Sequence, residues 1–148
     1  MEKTPETTEE NLHIYFCGSI RGGRSDVSLY SRLIEMLEGH GNVLTEHVGA
    51  EDVEATETEM TDTAIHDQDL AWLREADIVV AEVTVPSLGV GYEIGKATAW
   101  EKPVLCLYRP SGDHELSAMI RGSPERVVDY SDPVELEPVF HEFIAKQR

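Results

Sequence analysis

Short apolar runs alternate with longer segments of helical period along most of this chain, and that alternation constrains its fold more than any other feature. Leu12 to Cys17 reads as a first strand, and Asp26 to Glu38 as a helix with an apolar stripe of Leu29, Leu33, Ile34 and Leu37, ended by Gly39 and Gly41. Asn42 to Glu46 reads as a short second strand, and the acidic, apolar-poor stretch from Gly49 to Met60 as a mobile surface loop. A helix over Thr61 to Ala76, a strand over Asp77 to Val83, a helix over Gly89 to Trp100 and a strand over Pro103 to Tyr108 follow. Glu115 to Ile120 reads as a helical turn, Arg126 to Tyr130 as an edge strand, and Val134 to Lys146 as a closing amphipathic helix.

This order predicts one doubly wound α/β domain, Rossmann-like or flavodoxin-like, with a parallel sheet of about five strands and helices on both faces. The 148 residues suit a single domain over 12–148, with 1–11 as a disordered acidic tail. Ligands in such sheets bind at the carboxyl ends of the strands, so the loops after Cys17, Val83 and Tyr108 are the places to look.

With 12 basic and 29 acidic side chains the net charge is −17, a field that disfavours nucleic acid or an anionic membrane as a partner. A small phosphate-bearing ligand stays compatible with it, because salt screens the distant charges within roughly 10 Å. Cys17 and Cys106 both fall in apolar runs, which reads as two buried reduced thiols and an intracellular setting. No run approaches the roughly 20 apolar residues that cross a bilayer, and no signal peptide is evident at the start of the sequence. The histidines show no metal-ligand spacing, so neither a metal nor another cofactor is expected.

The first loop, CGSIRGGRSD, sets Gly18, Ser19, Ile20, Arg21, Gly22 and Gly23 between a strand and a helix. Glycines let backbone N–H groups approach an anion, the helix N-terminus adds a favourable dipole, and an arginine can fork onto phosphate oxygens. The loop matches neither the dinucleotide nor the Walker pattern, and a flexible turn with solvated arginines fits it as well. In the second loop, TVPSLGVGYEIG, Ser87 is placed to cap the helix or to donate to a phosphate, and Glu93 falls within the first two turns. The helix dipole there favours a carboxylate, the form a nucleophile needs; a surface glutamate complementing the same dipole is the plainer alternative.

Asp69 stands out because Ile65, Trp72, Leu73 and Ala76 surround it on an apolar helix face that also carries His66 and Asp62. A carboxylate there must be paired, hydrogen-bonded or protonated, whether it serves chemistry or caps a neighbouring loop. Tyr15 alternates with Ile14 and Phe16 in the first strand, so its hydroxyl points to one sheet face and is within range of the same cleft if it is not simply a core tyrosine. The third loop holds LSAMIRG, where Arg121 beside glycine joins Arg21 as a candidate phosphate donor.

These segments together, YFCGSIRGG, HDQDLAWL, PSLGVGYEIG and LSAMIRG, resemble the 2'-deoxynucleoside 5'-phosphate N-hydrolases of the nucleoside 2-deoxyribosyltransferase superfamily. The likeness runs from about Leu12 to Ile120 in the same order, with Val85 and Ile94 departing from the family's glutamine and leucine. It implies a homodimer that hydrolyses a deoxynucleoside monophosphate, 5-hydroxymethyl-dUMP being the associated substrate, to free base and 2-deoxyribose 5-phosphate in cytoplasm and nucleus. By motif match Glu93 attacks C1', Asp69 serves as acid/base and sugar-positioning group, and Tyr15 orients the nucleophile. The substrate is held by Gly18, Ser19, Ile20, Arg21, Gly22, Gly23, Ser87 and Gly89, with Ser117 and Met119 reaching in from the partner subunit. Two other readings stay open: a deoxyribosyltransferase that passes the sugar to a second base, and a non-catalytic nucleotide-binding module.

Overall fold

The computed structural model describes residues 12–19, 26–44, 60–110 and 113–147. In chain order the elements are β1 (His13–Cys17), α1 (Val27–Glu38), β2 (Asn42–Val43), α2 (Asp62–Glu75), β3 (Ile78–Glu82), α3 (Leu88–Ala99) and β4 (Val104–Tyr108). The short α4 (Ala118–Arg121), β5 (Arg126–Asp129), a 3-10 turn (Pro133–Leu136) and α5 (Glu137–Ala145) complete the chain. All strand pairings are parallel, in the order β2-β1-β3-β4-β5. The chain first moves one way from β1 and then returns to its other side, so the order reverses between β1 and β3. In doubly wound sheets that switch point is where a ligand crevice opens.

Strand alternation divides the core in two. Ile14 and Phe16 of β1, with Ile78 and Val80 of β3, face α1 and α5, meeting Tyr30, Leu33, Leu37, Phe140 and Ile144. Tyr15 and Cys17, with Val79 and Ala81, face α2 and α3, meeting Leu73, Ala76, Val90, Ile94 and Ala97. Every residue of β3 and β4 is buried, as expected of strands covered on both faces.

Some boundaries differ from the sequence expectation. Gly39 ends α1 in an ordinary right-handed conformation, so no left-handed glycine is needed there. Gly41 answers a different need, because a Cβ on it would stand 2.5 Å from the Leu12 carbonyl oxygen. The closing helix is split: Pro138 at the start of α5 has no N–H to continue the preceding turn, so Pro133–Leu136 winds as a separate 3-10 turn. The proposed tail and nearly all of the acidic loop, 49–59, lie outside the described residues.

Both cysteines are buried free thiols. Burial, aided by Glu125, pushes the Cys106 thiol up to about 12 from its ordinary 9.0. Burial first and Glu93 second raise the Cys17 thiol, and burial is likewise the main cause raising the phenols of Tyr15, Tyr30 and Tyr130. Each folded-state value lies above its unfolded one, so the stability these groups contribute is complete below about pH 9 and is lost as pH climbs beyond it. A urea midpoint clearly lower at pH 10 than at pH 7.5 is the expected result; equal midpoints would contradict it.

Candidate active site

An open pocket of about 860 Å³ lies at the switch point. Gly18 and Ser19 line it from the end of β1, Pro86 to Val90 with Tyr92 and Glu93 from the loop after β3 and the first turns of α3, and Asp62, Ile65, His66, Asp69 and Leu70 from α2. The α2 residues fall at intervals of three and four, so they share one face. Further along the same helix Leu73 and Ala76 enter the core, while Asp69 is half-buried where that core gives way to the pocket.

The sequence explains how these parts are held. Thr61 caps α2 by accepting the Ala64 N–H at 3.0 Å, and Ser87 caps α3 by accepting the Val90 N–H at 3.2 Å. Ser87 also lines the pocket. Ser19, almost wholly buried, donates its backbone N–H to the Tyr30 hydroxyl at 3.1 Å. Gly18 lies flat on the same ring, where an added Cβ would stand 2.8 Å from Tyr30 Cζ.

Glu93 stands in the second turn of α3, where a helix dipole has largely faded. Its partner is instead the Tyr15 hydroxyl, which donates to Glu93 Oε2 at 2.5 Å, a short charge-assisted bond. Burial first, then the charges of Glu93 and Asp69, push the Tyr15 phenol far above its usual range, so it remains a proton donor at any working pH. Asp69 lies close enough to Tyr15 and Cys17 for its charge to add to the upward shift of both. One Asp69 oxygen, Oδ1, is shielded from solvent. Glu93 and Asp69 thus line one pocket, and Tyr15, 78 positions before Glu93, holds Glu93 from the buried core behind it.

Gly18, Ser19, Ser87 and Gly89 line the pocket; Ile20, Arg21, Gly22 and Gly23 lie outside the described residues. Arg121 does not join them. Its guanidinium pairs with Asp129 at 3.0 and 3.4 Å and lies over the Tyr108 ring, because β5 runs beside β4 and brings that carboxylate within reach. Ser117 caps α4 by accepting the Met119 N–H, and neither residue lines this chain's pocket; Met119 is 82% exposed.

Sequence reasoning missed Tyr92. Its hydroxyl lies 3.1 Å from His66 Nε2 and bridges α3 to α2 across the pocket wall. Its position four residues after Leu88 and one before Glu93 was the available signal. Among the described residues no cluster of three or more His, Cys, Asp or Glu side chains suits a metal ion, and no helix is long and apolar enough to cross a membrane.

The family model for nucleoside 2-deoxyribosyltransferase matches residues 14–131, which span the sheet except its first residue, His13, and include every residue lining the pocket. The chain belongs to that family. Within it, the chain is 54% identical over 136 residues to the mouse (Mus musculus) 5-hydroxymethyl-dUMP N-hydrolase, covering 88% of this chain and 78% of that protein. It is 50% identical to the protein of the same name from Tetraodon nigroviridis, covering 93% of this chain and 100% of that one. Among solved structures, the solution structure of BlsM superposes with a TM-score of 0.75 at 24% identity, covering 94% and 93% of the two chains. The Clostridium botulinum CMP N-glycosidase BcmB does so with 0.61 at 18% identity, covering 88% and 98%. These two establish the fold: a deoxyribosyltransferase-type α/β domain with a five-stranded, all-parallel sheet.

Proposed function

We propose that this chain hydrolyses the N-glycosidic bond of 2'-deoxynucleoside 5'-monophosphates, 5-hydroxymethyl-dUMP among them, by way of a glycosyl ester on Glu93. The observation that carries this reading is the Tyr15–Glu93 hydrogen bond on the floor of a pocket that Asp69 also lines. The names of relatives at 50% and 54% identity support the substrate class.

In the first step a Glu93 carboxylate oxygen attacks C1' as the bond from C1' to the base nitrogen breaks. The base leaves with the bonding electrons and takes a proton delivered by Asp69. In the second step a water oxygen attacks C1', Asp69 accepts a water proton, and Glu93 departs as carboxylate. Tyr15 holds the carboxylate still in both. The 5'-phosphate is held by backbone N–H groups and hydroxyls at Gly18, Ser19, Ser87 and Gly89, with Ile20, Arg21, Gly22 and Gly23 assigned to the same task from their motif.

We further propose a homodimer in which Ser117 and Met119 reach the partner's phosphate site. Leu88, Gly91, Tyr92 and Gly95 share one face of α3; Leu88 is 96% exposed, and a Cβ on either glycine would meet nothing within 4 Å. A second helix has room to approach there.

The test is to incubate the protein with 5-hydroxymethyl-dUMP, with the matching deoxynucleoside, and with the monophosphate plus an excess of a second free base. Release of base from the monophosphate far faster than from the nucleoside is the expected result. Equal turnover of both would remove the phosphate pocket from the argument. Transfer of the sugar to the second base outpacing hydrolysis would favour a transferase, the reaction in the family's name. No release from several monophosphates would leave a binding module.

A further inference from the structure

A second charged cluster lies across the sheet from Glu93, on the α1/α5 side. Glu82, the last residue of β3, has no exposure at all. A carboxylate in that position is costly unless several donors surround it. Here Oε1 accepts the Thr84 N–H at 3.0 Å, while Oε2 accepts the Thr84 hydroxyl at 2.9 Å and the Tyr130 hydroxyl at 2.6 Å. Arg109, just past β4, brings its Nε to 3.5 Å from the same Oε2 and donates through its terminal nitrogen to Asp26 at 2.9 Å. The Arg109 backbone N–H also donates to the Thr84 hydroxyl oxygen at 2.9 Å. Although burial pulls the guanidinium pKa down, Glu82 and Asp26 outweigh it and the net shift is upward, so the cation is secure.

These contacts form a continuous tether between two pocket loops. Glu82 fixes Thr84, and with it the direction in which the chain leaves β3 toward Ser87. Arg109 joins that point to Asp26, the N-cap of α1, whose carbonyl accepts the Tyr30 N–H at 2.9 Å. Tyr30 in turn accepts the Ser19 N–H. Tyr30 and Tyr130 of this path belong to the core on the α1/α5 side of the sheet, whereas Glu93 and Asp69 are carried by the helices that cover the other face.

We propose that Arg109 is a positioning residue for substrate phosphate: by bridging Glu82 and Asp26 it sets the spacing between the Ser19 and Ser87 loops. The proposal rests on the reading above that these loops hold the phosphate. Loosening such a pair weakens the hold on phosphate equally in the ground state and the transition state, whereas Glu93 chemistry has its own support from Tyr15.

The decisive variant is Asp26→Asn, which loosens the loop end of the tether and leaves Glu82 neutralised by Arg109. For 5-hydroxymethyl-dUMP it should raise KM on the order of tenfold with kcat within about twofold of wild type, and weaken competitive inhibition by inorganic phosphate in parallel. Arg109→Lys should do the same, since a single ammonium nitrogen lacks the span by which Nε and the terminal nitrogen of the guanidinium each reach a separate carboxylate. The triple change Glu82→Gln, Arg109→Met and Asp26→Asn removes the tether without leaving any of its carboxylates unpaired and should match them. An unchanged KM in a folded Asp26→Asn protein would overturn the proposal, as would a kcat that falls with KM unmoved. If wild type releases no base, the functional reading itself fails. Calorimetric titration with inorganic phosphate then still judges the tether, and equal affinity for wild type and Asp26→Asn would refute it.

Discussion

Glu93→Gln is expected to slow base release from 5-hydroxymethyl-dUMP by at least about a thousandfold, roughly 4 kcal/mol of barrier. The substitution keeps the shape of the side chain and leaves a carbonyl oxygen to accept the Tyr15 hydroxyl, so the floor of the pocket should stay as it is. What it removes is the oxygen anion that forms the ester. Substrate affinity measured by calorimetry should therefore stay within a few-fold of wild type while turnover collapses. Mass spectrometry of quenched wild-type reactions should show a protein adduct of one deoxyribose phosphate that the variant lacks. Activity within tenfold of wild type would remove Glu93 from the role of nucleophile.

Asp69→Asn is the second large effect, expected at about 10²–10⁴-fold in turnover, the usual worth of a positioned acid/base group. An amide can still accept and donate hydrogen bonds to the sugar but cannot deliver a proton to the departing base. The two duties proposed for Asp69 are separable by varying the base. If proton delivery dominates, a nucleotide whose base is a better leaving group should lose much less activity than 5-hydroxymethyl-dUMP does. A uniform loss across bases would assign Asp69 to holding the sugar alone.

Much of this arrangement was legible in the residues. β3 and β4 read as strands because parallel strands covered on both faces are nearly continuous apolar runs. Asp69 was legible because it interrupts an apolar helix face, and Tyr15 because period two in β1 fixes which face it serves. Glu82 obeys the same rule as Asp69 and was passed over. It closes the run Ile78 to Glu82, and its partners Arg109 and Tyr130 lie 27 and 48 positions away, with no period to announce them. Arg121 failed in the opposite way: the glycine and serine beside it suggested a phosphate, but the sheet had brought Asp129 to it. Local composition reports which chemistry a loop is able to do; only the pairing of strands decides which partner it meets.

The closed floor of the pocket has a stereochemical consequence. Tyr15 and Cys17, the neighbours of Glu93 on β1, are each no more than 3% exposed, so that side of the carboxylate is closed to solvent. In the proposed reaction the hydrolytic water must enter by the opening that the base has vacated. The sugar then departs as the β anomer, its new hydroxyl on the face where the base had been, and mutarotation in solution begins only after release.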